Sequence, residues 1–350
     1  MSDMAVMWLF LLGKILLFFG IVFGIVAPIM IWVERKVAGL VQDRIGPNRV
    51  GPFGLLQSLA DGIKLLLKEP LLPREVNKPY YLLAPIISVI PAALSFAVIP
   101  FGPPTTLGGL FETPQRLQIA SLNVGLLFVL AVTSLSVYSV VLAGWSSNNK
   151  YSVLGALRAS AQMISYELAS GLAVVSVILL SGSVDLVHIV DAQQKIWFIF
   201  PGILSFFVFL PAIFAETNRI PFDLPEAEAE LVVGYHTEYS GIKFGLFFLS
   251  EYSIMTTVSA MAVLFFFGGW ELLPGFTWAQ AGIDIQNTLI GTVLATSWFA
   301  LKVIVFLFLF VWVRWTLPRF RYDQLMGLGW KRLLPIAIFN IFIIAGVMAF

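Results

Sequence analysis

Seven of the twenty carboxylates in this 350-residue chain fall between Glu216 and Glu251, where Arg219 and Lys243 are the only bases, a formal excess of five negative charges. Glu226 and Glu230 share a face if the segment is helical, and Glu228 points elsewhere. Pro221, Asp223 and Pro225 predict a bent loop leading into that short helix. Carboxylates crowded into a partly buried site raise one another's pKa by repulsion and by desolvation, so such a group can exchange protons near neutral pH. Three acids, Glu167 together with Glu216 and Glu251 from the two ends of the stretch, lie at or near the ends of apolar runs around the same loop. One carboxylate at a helix end is often simply capped or wetted; three around one acidic loop fit a buried proton relay better. A third group runs from Glu34, Arg35 and Lys36 through Asp43, Arg44 and Arg49 to Asp61, Lys64, Lys68 and Glu69. A plain anchor on the basic side of a membrane would need only lysine and arginine. Here bases alternate with acids and with Gly-Pro turns, which suits a polar wall lining a site.

The elements that must position these groups are apolar. The chain is 59% hydrophobic and 12% charged, with mean hydropathy +0.91, against about 25% charged residues in a soluble domain. The expected fold class is an all-α polytopic membrane protein. Runs of about 20 apolar residues, enough to cross a bilayer, occur near 8–33, 80–100, 118–143, 160–182, 196–215, 245–268, 289–313 and 334–350, predicting eight spans. The first is too long for a signal-peptide core and reads as a retained anchor. Connections 34–79, 144–159, 216–244 and 314–333 hold 17 of the 21 basic residues, which places them in the cytoplasm and both termini outside. Lys14 is close enough to a span end to snorkel. Lys302 sits mid-span, in a functional or a packing role.

Within the first connection, residues 51–68 place Leu55, Leu56, Leu59, Ile63, Leu66 and Leu67 at helical spacing, with Gln57, Ser58, Asp61, Lys64 and Lys68 on the other side. That pattern predicts an amphipathic helix lying in the interface. No segment reads as a separate soluble unit, so residues 1–350 are expected to form one integral membrane domain.

Several chemistries are not supported. With no cysteine and only His188 and His236, thiolate zinc sites and cysteine-held iron–sulfur clusters have no ligands, and haem is not expected. The glycines from Gly46 to Gly54 lack the Lys-Ser/Thr ending of a phosphate-cradling loop. Neither histidine stands in a nucleophile set, and no nucleic-acid partner is expected.

The sequence resembles the family of H-type membrane subunits of proton-translocating NADH:quinone oxidoreductase, the bacterial counterparts of mitochondrial NADH dehydrogenase subunit 1. The resemblance rests on Glu34-Arg35-Lys36-Val-Ala-Gly, Gln42-Asp-Arg44-Ile-Gly46-Pro47-Asn48-Arg49-Val-Gly51-Pro and Leu56-Gln57-Ser-Leu-Ala60-Asp61-Gly-Ile-Lys64. It continues through Tyr166-Glu167, Ala215-Glu216-Thr-Asn218-Arg219-Ile-Pro221-Phe222-Asp223-Leu224, Glu226-Ala-Glu228-Ala-Glu230 and Leu317-Pro318-Arg319-Phe320-Arg321-Tyr322-Asp323-Gln324-Leu. These blocks span most of the chain. The resemblance implies a subunit of the bacterial inner membrane that forms much of a quinone chamber, with flavin and iron–sulfur clusters in partner subunits and no redox centre of its own. It assigns Glu34, Arg35, Arg44, Asp61 and Arg314 to a quinone tunnel framed by residues 26–35, 51–68 and 244–252. It assigns Glu167, Glu216, Asp223, Glu226, Glu228, Glu230 and Glu251 to proton coupling. Quinone, lipid, the hydrophilic subunits at the quinone site and small adjacent membrane subunits are the implied partners. Three other readings share these features: the anchor of an energy-converting hydrogenase, a stand-alone ion-coupled transporter, and a purely structural anchor.

Overall fold

The computed structural model describes residues 3–109, 111–224 and 228–349. Its helices in chain order are α1 (Asp3–Phe19), α2 (Ala27–Val41), α3 (Gln57–Leu67), α4 (Lys78–Val98), α5 (Gly125–Ser134), α6 (Ser136–Ser146), α7 (Lys150–Ser181) and α8 (Leu186–Asp191). They continue with α9 (Ile203–Glu216), α10 (Glu228–Leu231), α11 (Ile242–Phe266), α12 (Leu289–Thr316), α13 (Tyr322–Leu328) and α14 (Leu334–Ala349). Wide π turns at Gly20–Val26 and Gly329–Leu333 join α1 to α2 and α13 to α14. Among the described residues seven helical stretches are long and apolar enough to cross a membrane, and Ile203–Glu216 is a shorter apolar helix. The chain is an all-α polytopic membrane protein.

Local chemistry sets the boundaries. Asn149 caps α7 by accepting from the Tyr151 amide at 2.9 Å, and the helix stops at Gly182 in the left-handed region, φ +68°. Thr288 caps α12 in the same way, accepting from Gly291 at 3.2 Å. Pro79 sits at the start of α4, where a missing N–H costs nothing.

Several boundaries differ from the pattern-based expectation, α7 for instance beginning at Lys150 rather than near 160, and two of the differences matter for the site. The first span does not stop at residue 33: α2 runs on to Val41, so Glu34 is a helical residue turned into the bundle. The fifth run, 196–215, gives only the 14 residues of α9, because Pro201-Gly202 lies in a turn and Gly202 stands at the helix start. Hydropathy registers the apolar run and not the break within it.

A main apolar core follows α7, α9, α11 and α12, and a second lies between α4, α6, α7 and the segment after α10. α11 is the most enclosed span, buried almost all round from Tyr252 to Phe266. The amphipathic element is real but shorter than 51–68: α3 covers Gln57–Leu67 after a tight turn at Pro52–Gly54. Gly54, at φ +78°, permits that turn, since a Cβ there would stand 2.4 Å from the Pro47 carbonyl. Leu59, Ile63, Leu66 and Leu67 are exposed, as an interfacial helix facing lipid requires.

Candidate functional site

Glu34 is the centre of the arrangement. Its neighbour Arg35 points outward to Asp61 on α3, and this partly exposed ion pair ties α2 to the interfacial helix. Glu34 itself is buried among four elements. One carboxylate oxygen accepts from Arg219 Nη1 at 3.1 Å; the other accepts from the Tyr252 hydroxyl and from Arg314 Nη1, each at 2.7 Å. Arg219 Nη2 lies 3.6 Å from Glu251, and the guanidinium centre stands 4.4 Å over the Tyr252 ring.

The turn after α9 delivers Arg219 to this point. The Thr217 hydroxyl donates back to Ile213, Asn218 takes a positive φ, and the Arg219 amide donates to Phe214 at 3.2 Å. Gln162 of α7, fully buried, holds the turn: its amide nitrogen is within hydrogen-bonding distance of Ala215, Asn218 and Phe222 oxygens. Burial opposes the charge on Arg219, but Glu34, Tyr252 and Glu251 outweigh it and hold the guanidinium above its ordinary pKa. A charge buried this way is kept by its partners; removing one partner of such a pair costs about 3–5 kcal/mol.

Asp223, Glu230 and Glu238 of the acidic stretch are also partnered. Asp223 pairs with Arg319 at 2.8 Å, and Glu230 with Arg158 on α7. Glu238, not singled out in the sequence, accepts from Asn149 at 2.8 Å, and its carbonyl accepts from Tyr81, so it braces the start of α7. Glu226 lies outside the described residues, and Glu228 is described by its backbone alone, at the start of α10.

Glu216 and Glu251 line one cavity of about 30 Å³ with Ser88, Ser136, Ser139 and Ser250. A water needs at least about 10–15 Å³ and two to four polar partners, so the space suits one or two waters between the carboxylates. Glu167 does not line that cavity but stands near enough to Glu216 for their charges to interact; it lies on the wall of a groove of about 470 Å³ between α7 and α14, lined by Ile164, Leu168, Gly171, Leu172 and Leu334. Arg44 is at the surface, hydrogen-bonded to Gln42 at 2.6 Å.

The two charged walls therefore meet, but with signs reversed at the contact: the first stretch contributes the acid Glu34, and the acidic stretch contributes the base Arg219. Arg219 and Tyr252 are the site residues that the sequence pattern does not single out. For Arg219 the available signal is a lone arginine inside an acid-rich loop, at the recognisable Asn218-Arg219-Ile-Pro221. A tyrosine beside Glu251 gives none.

The family described as NADH dehydrogenase matches residues 13–345. The NADH-quinone oxidoreductase H subunit 2 of Koribacter versatilis is 50% identical over 99% of this chain and 98% of its own length. The H subunit of Leptospira biflexa is 52% identical over 92% and 90%, and H subunit 2 of Geobacter sulfurreducens is 50% identical over 97% and 96%. The match covers α2, the acidic loop and α11–α12, the elements that assemble the Glu34 cluster; the chain belongs to the NADH dehydrogenase family, among the H subunits of NADH-quinone oxidoreductase.

Proposed function

We propose that this chain is the membrane subunit of a respiratory NADH:quinone oxidoreductase in which quinone reduction is converted into proton movement by the Glu34–Arg219–Tyr252–Arg314–Glu251 cluster. That cluster carries the reading: three acids or phenols and two guanidiniums, drawn from α2, the α9–α11 loop, α11 and α12, share one buried volume. A chain in this role is one integral domain of the bacterial inner membrane with both termini on the periplasmic side. Iron–sulfur clusters belong to partner subunits in this reading, because this sequence has no cysteine to ligate them, and flavin is placed with those subunits.

Reduction of a quinone to a quinol takes two electrons and two protons and passes through anionic forms. α2, α3 and the first half of α11 frame the chamber in this reading, with Glu34, Arg35, Arg44, Asp61 and Arg314 along the tunnel. A negative charge arriving about 8 Å from a carboxylate shifts its energy by about 2 kcal/mol at an effective dielectric of about 20, or about 1.5 pKa units. A shift of that size changes occupancy of a shared proton. Glu34 and Arg219 hand the change to Glu251, the serine-lined cavity connects Glu251 to Glu216, and Glu167 faces the groove toward adjacent membrane subunits. Asp223, Glu226, Glu228 and Glu230 set the potential of the loop around the arginines.

A photoreactive quinone analogue bound to the purified assembly tests the chamber. Labelled peptides should come from residues 26–35, 51–68 and 244–252. Labelling that avoids all three while remaining competed by quinone would place the substrate elsewhere.

A further inference from the structure

Lys302 lies at the middle of a transmembrane helix and reaches a different helix's end. It precedes Arg314 by twelve positions on α12, which at 1.5 Å per residue sets it about 18 Å along the helix axis. Arg314 belongs to the inner cluster, so Lys302 stands well inside a hydrocarbon layer about 30 Å thick. There its ammonium is 2.8 Å from the Phe267 carbonyl, 3.0 Å from Gly269 and 2.6 Å from Glu271. The indole faces of Trp197 and Trp298 stand 4.5 and 5.9 Å from it.

The reason for a lysine here is the way α11 ends. The last turn of any helix leaves carbonyls without partners, and at membrane depth no bulk water can supply them. Gly268 and Gly269 take positive φ, +66° and +52°, as the chain turns away from the helix. A Cβ on Gly268 would stand 2.4 Å from the Trp197 indole nitrogen, so glycine is what lets that ring close over the ammonium. Gln193, fully buried, takes other polar groups of the turn: its side chain donates to Leu264 and accepts from Gly268 and Phe198. The carbonyls of Phe267, Gly269 and Glu271 are left to Lys302, that of Glu271 shared with the Trp298 indole N–H at 3.2 Å. A protonated amine has three N–H donors, a neutral amine only two.

We propose that this carbonyl-and-indole cage is a primary-ammonium site occupied by Lys302 as a tethered cation, and that Lys302 is thereby the positioning residue for α11 and for Glu251 and Tyr252 on it. α11 has no glycine or proline after Gly245 and runs unbroken to Phe266, so it transmits a displacement of one end to the other as a rod. Its inner end is fixed by Tyr252 to Glu34 and by Lys243 to the Leu71 carbonyl at 3.0 Å. Lys302 fixes the outer end. The consequence for Glu251 rests on the coupling role proposed above; the cage does not.

The test uses the assembled complex carrying Lys302→Ala, which deletes the equivalent of n-propylammonium, and Lys302→Met, which keeps an unbranched chain as far as the Cε position without the ammonium. Both should melt at lower temperature than the parent and expose residues 267–288 to protease. In Lys302→Ala, added n-propylammonium should restore melting and protease resistance, while 1-propanol and tetramethylammonium should not. Protons translocated per electron should fall and recover in parallel. Rescue by 1-propanol equal to that by n-propylammonium overturns the cage, as does a Lys302→Met complex indistinguishable from the parent. Rescue of melting with coupling unaltered throughout removes the positioning role if Glu216→Gln in the same preparation does lose coupling. Intact coupling in Glu216→Gln as well contradicts instead the coupling reading on which that role rests.

Discussion

Arg219 stands 3.1 Å from Glu34 and 3.6 Å from Glu251, with its guanidinium over the Tyr252 ring and almost no exposure to solvent. Replacing it by methionine leaves two buried carboxylates facing each other. Arg219→Met should therefore destabilise the assembly by about 3–5 kcal/mol, and Glu34→Gln added to it should recover part of that loss. A double-mutant cycle on melting of the purified complex reads this as a non-additive term. Tyr252→Phe is a milder probe: it removes one hydrogen bond to a charged group, worth about 1.5–3 kcal/mol, and should raise quinone KM or lower kcat without loss of assembly. Steady-state quinone reductase kinetics check it. The charge pattern alone makes Glu34 and Glu251 legible, because charge within apolar sequence is conspicuous; Arg314 is legible only through the family resemblance. Their meeting is not legible: Glu34 is 185 residues from Arg219, 218 from Tyr252 and 280 from Arg314, and no local spacing encodes contacts at that range.

Helix α11 joins the two polar zones of the chain. At its inner half Ser250, Glu251 and Tyr252 serve the charged cluster; at its outer end the Phe267, Gly269 and Glu271 carbonyls hold Lys302. The Glu271 carboxyl sits beside this cage in the loop beyond the helix, with Asp191 nearby and, past it, His188, Asp185 and Arg116. Glu271 is held above the usual carboxylate range, first by burial and then by Asp191, with Lys302 acting in the opposite direction; Asp191 is raised by burial as well. A carboxyl with a raised folded pKa binds its proton more tightly in the folded chain than in the unfolded one. Stability is then greatest while the group is protonated and falls as pH rises from the ordinary carboxylate range through the folded value. Melting of Glu271→Gln against pH should show no gain over the parent at the acid end and an increasing gain across that window. Element type is readable from hydropathy and from the 3.6-residue period of α3, because burial and periodicity are local. The short α9 and the inward extension of α2 are not, since a Pro-Gly break and a helix end inside the bundle leave average hydropathy almost unchanged.

Across the whole molecule, the acids and bases are divided between an inner zone around Glu34 and an outer one around Lys302. Between them α11 presents Ser253, Thr256, Thr257 and Ser259 and then the wholly apolar buried run from Ala260 to Phe266. That length of α11 offers protons no polar route outward, and the carboxylates instead lead sideways: Glu251 and Glu216 share the serine-lined cavity, and Glu167 opens on the groove between α7 and α14. In the proposed mechanism the membrane subunit does not carry protons across by itself; it converts the charge of a quinone intermediate into a protonation change delivered to its neighbours. Glu216 is the residue on which that claim depends, because it lies between the inner cluster and the lateral groove. The decisive measurement is proton translocation per electron in vesicles reconstituted with the Glu216→Gln complex. Quinone reduction should be retained in large part while protons moved per electron drop well below the parent value; a Glu216→Gln complex that reduces quinone and pumps with the parent's ratio would contradict the coupling role.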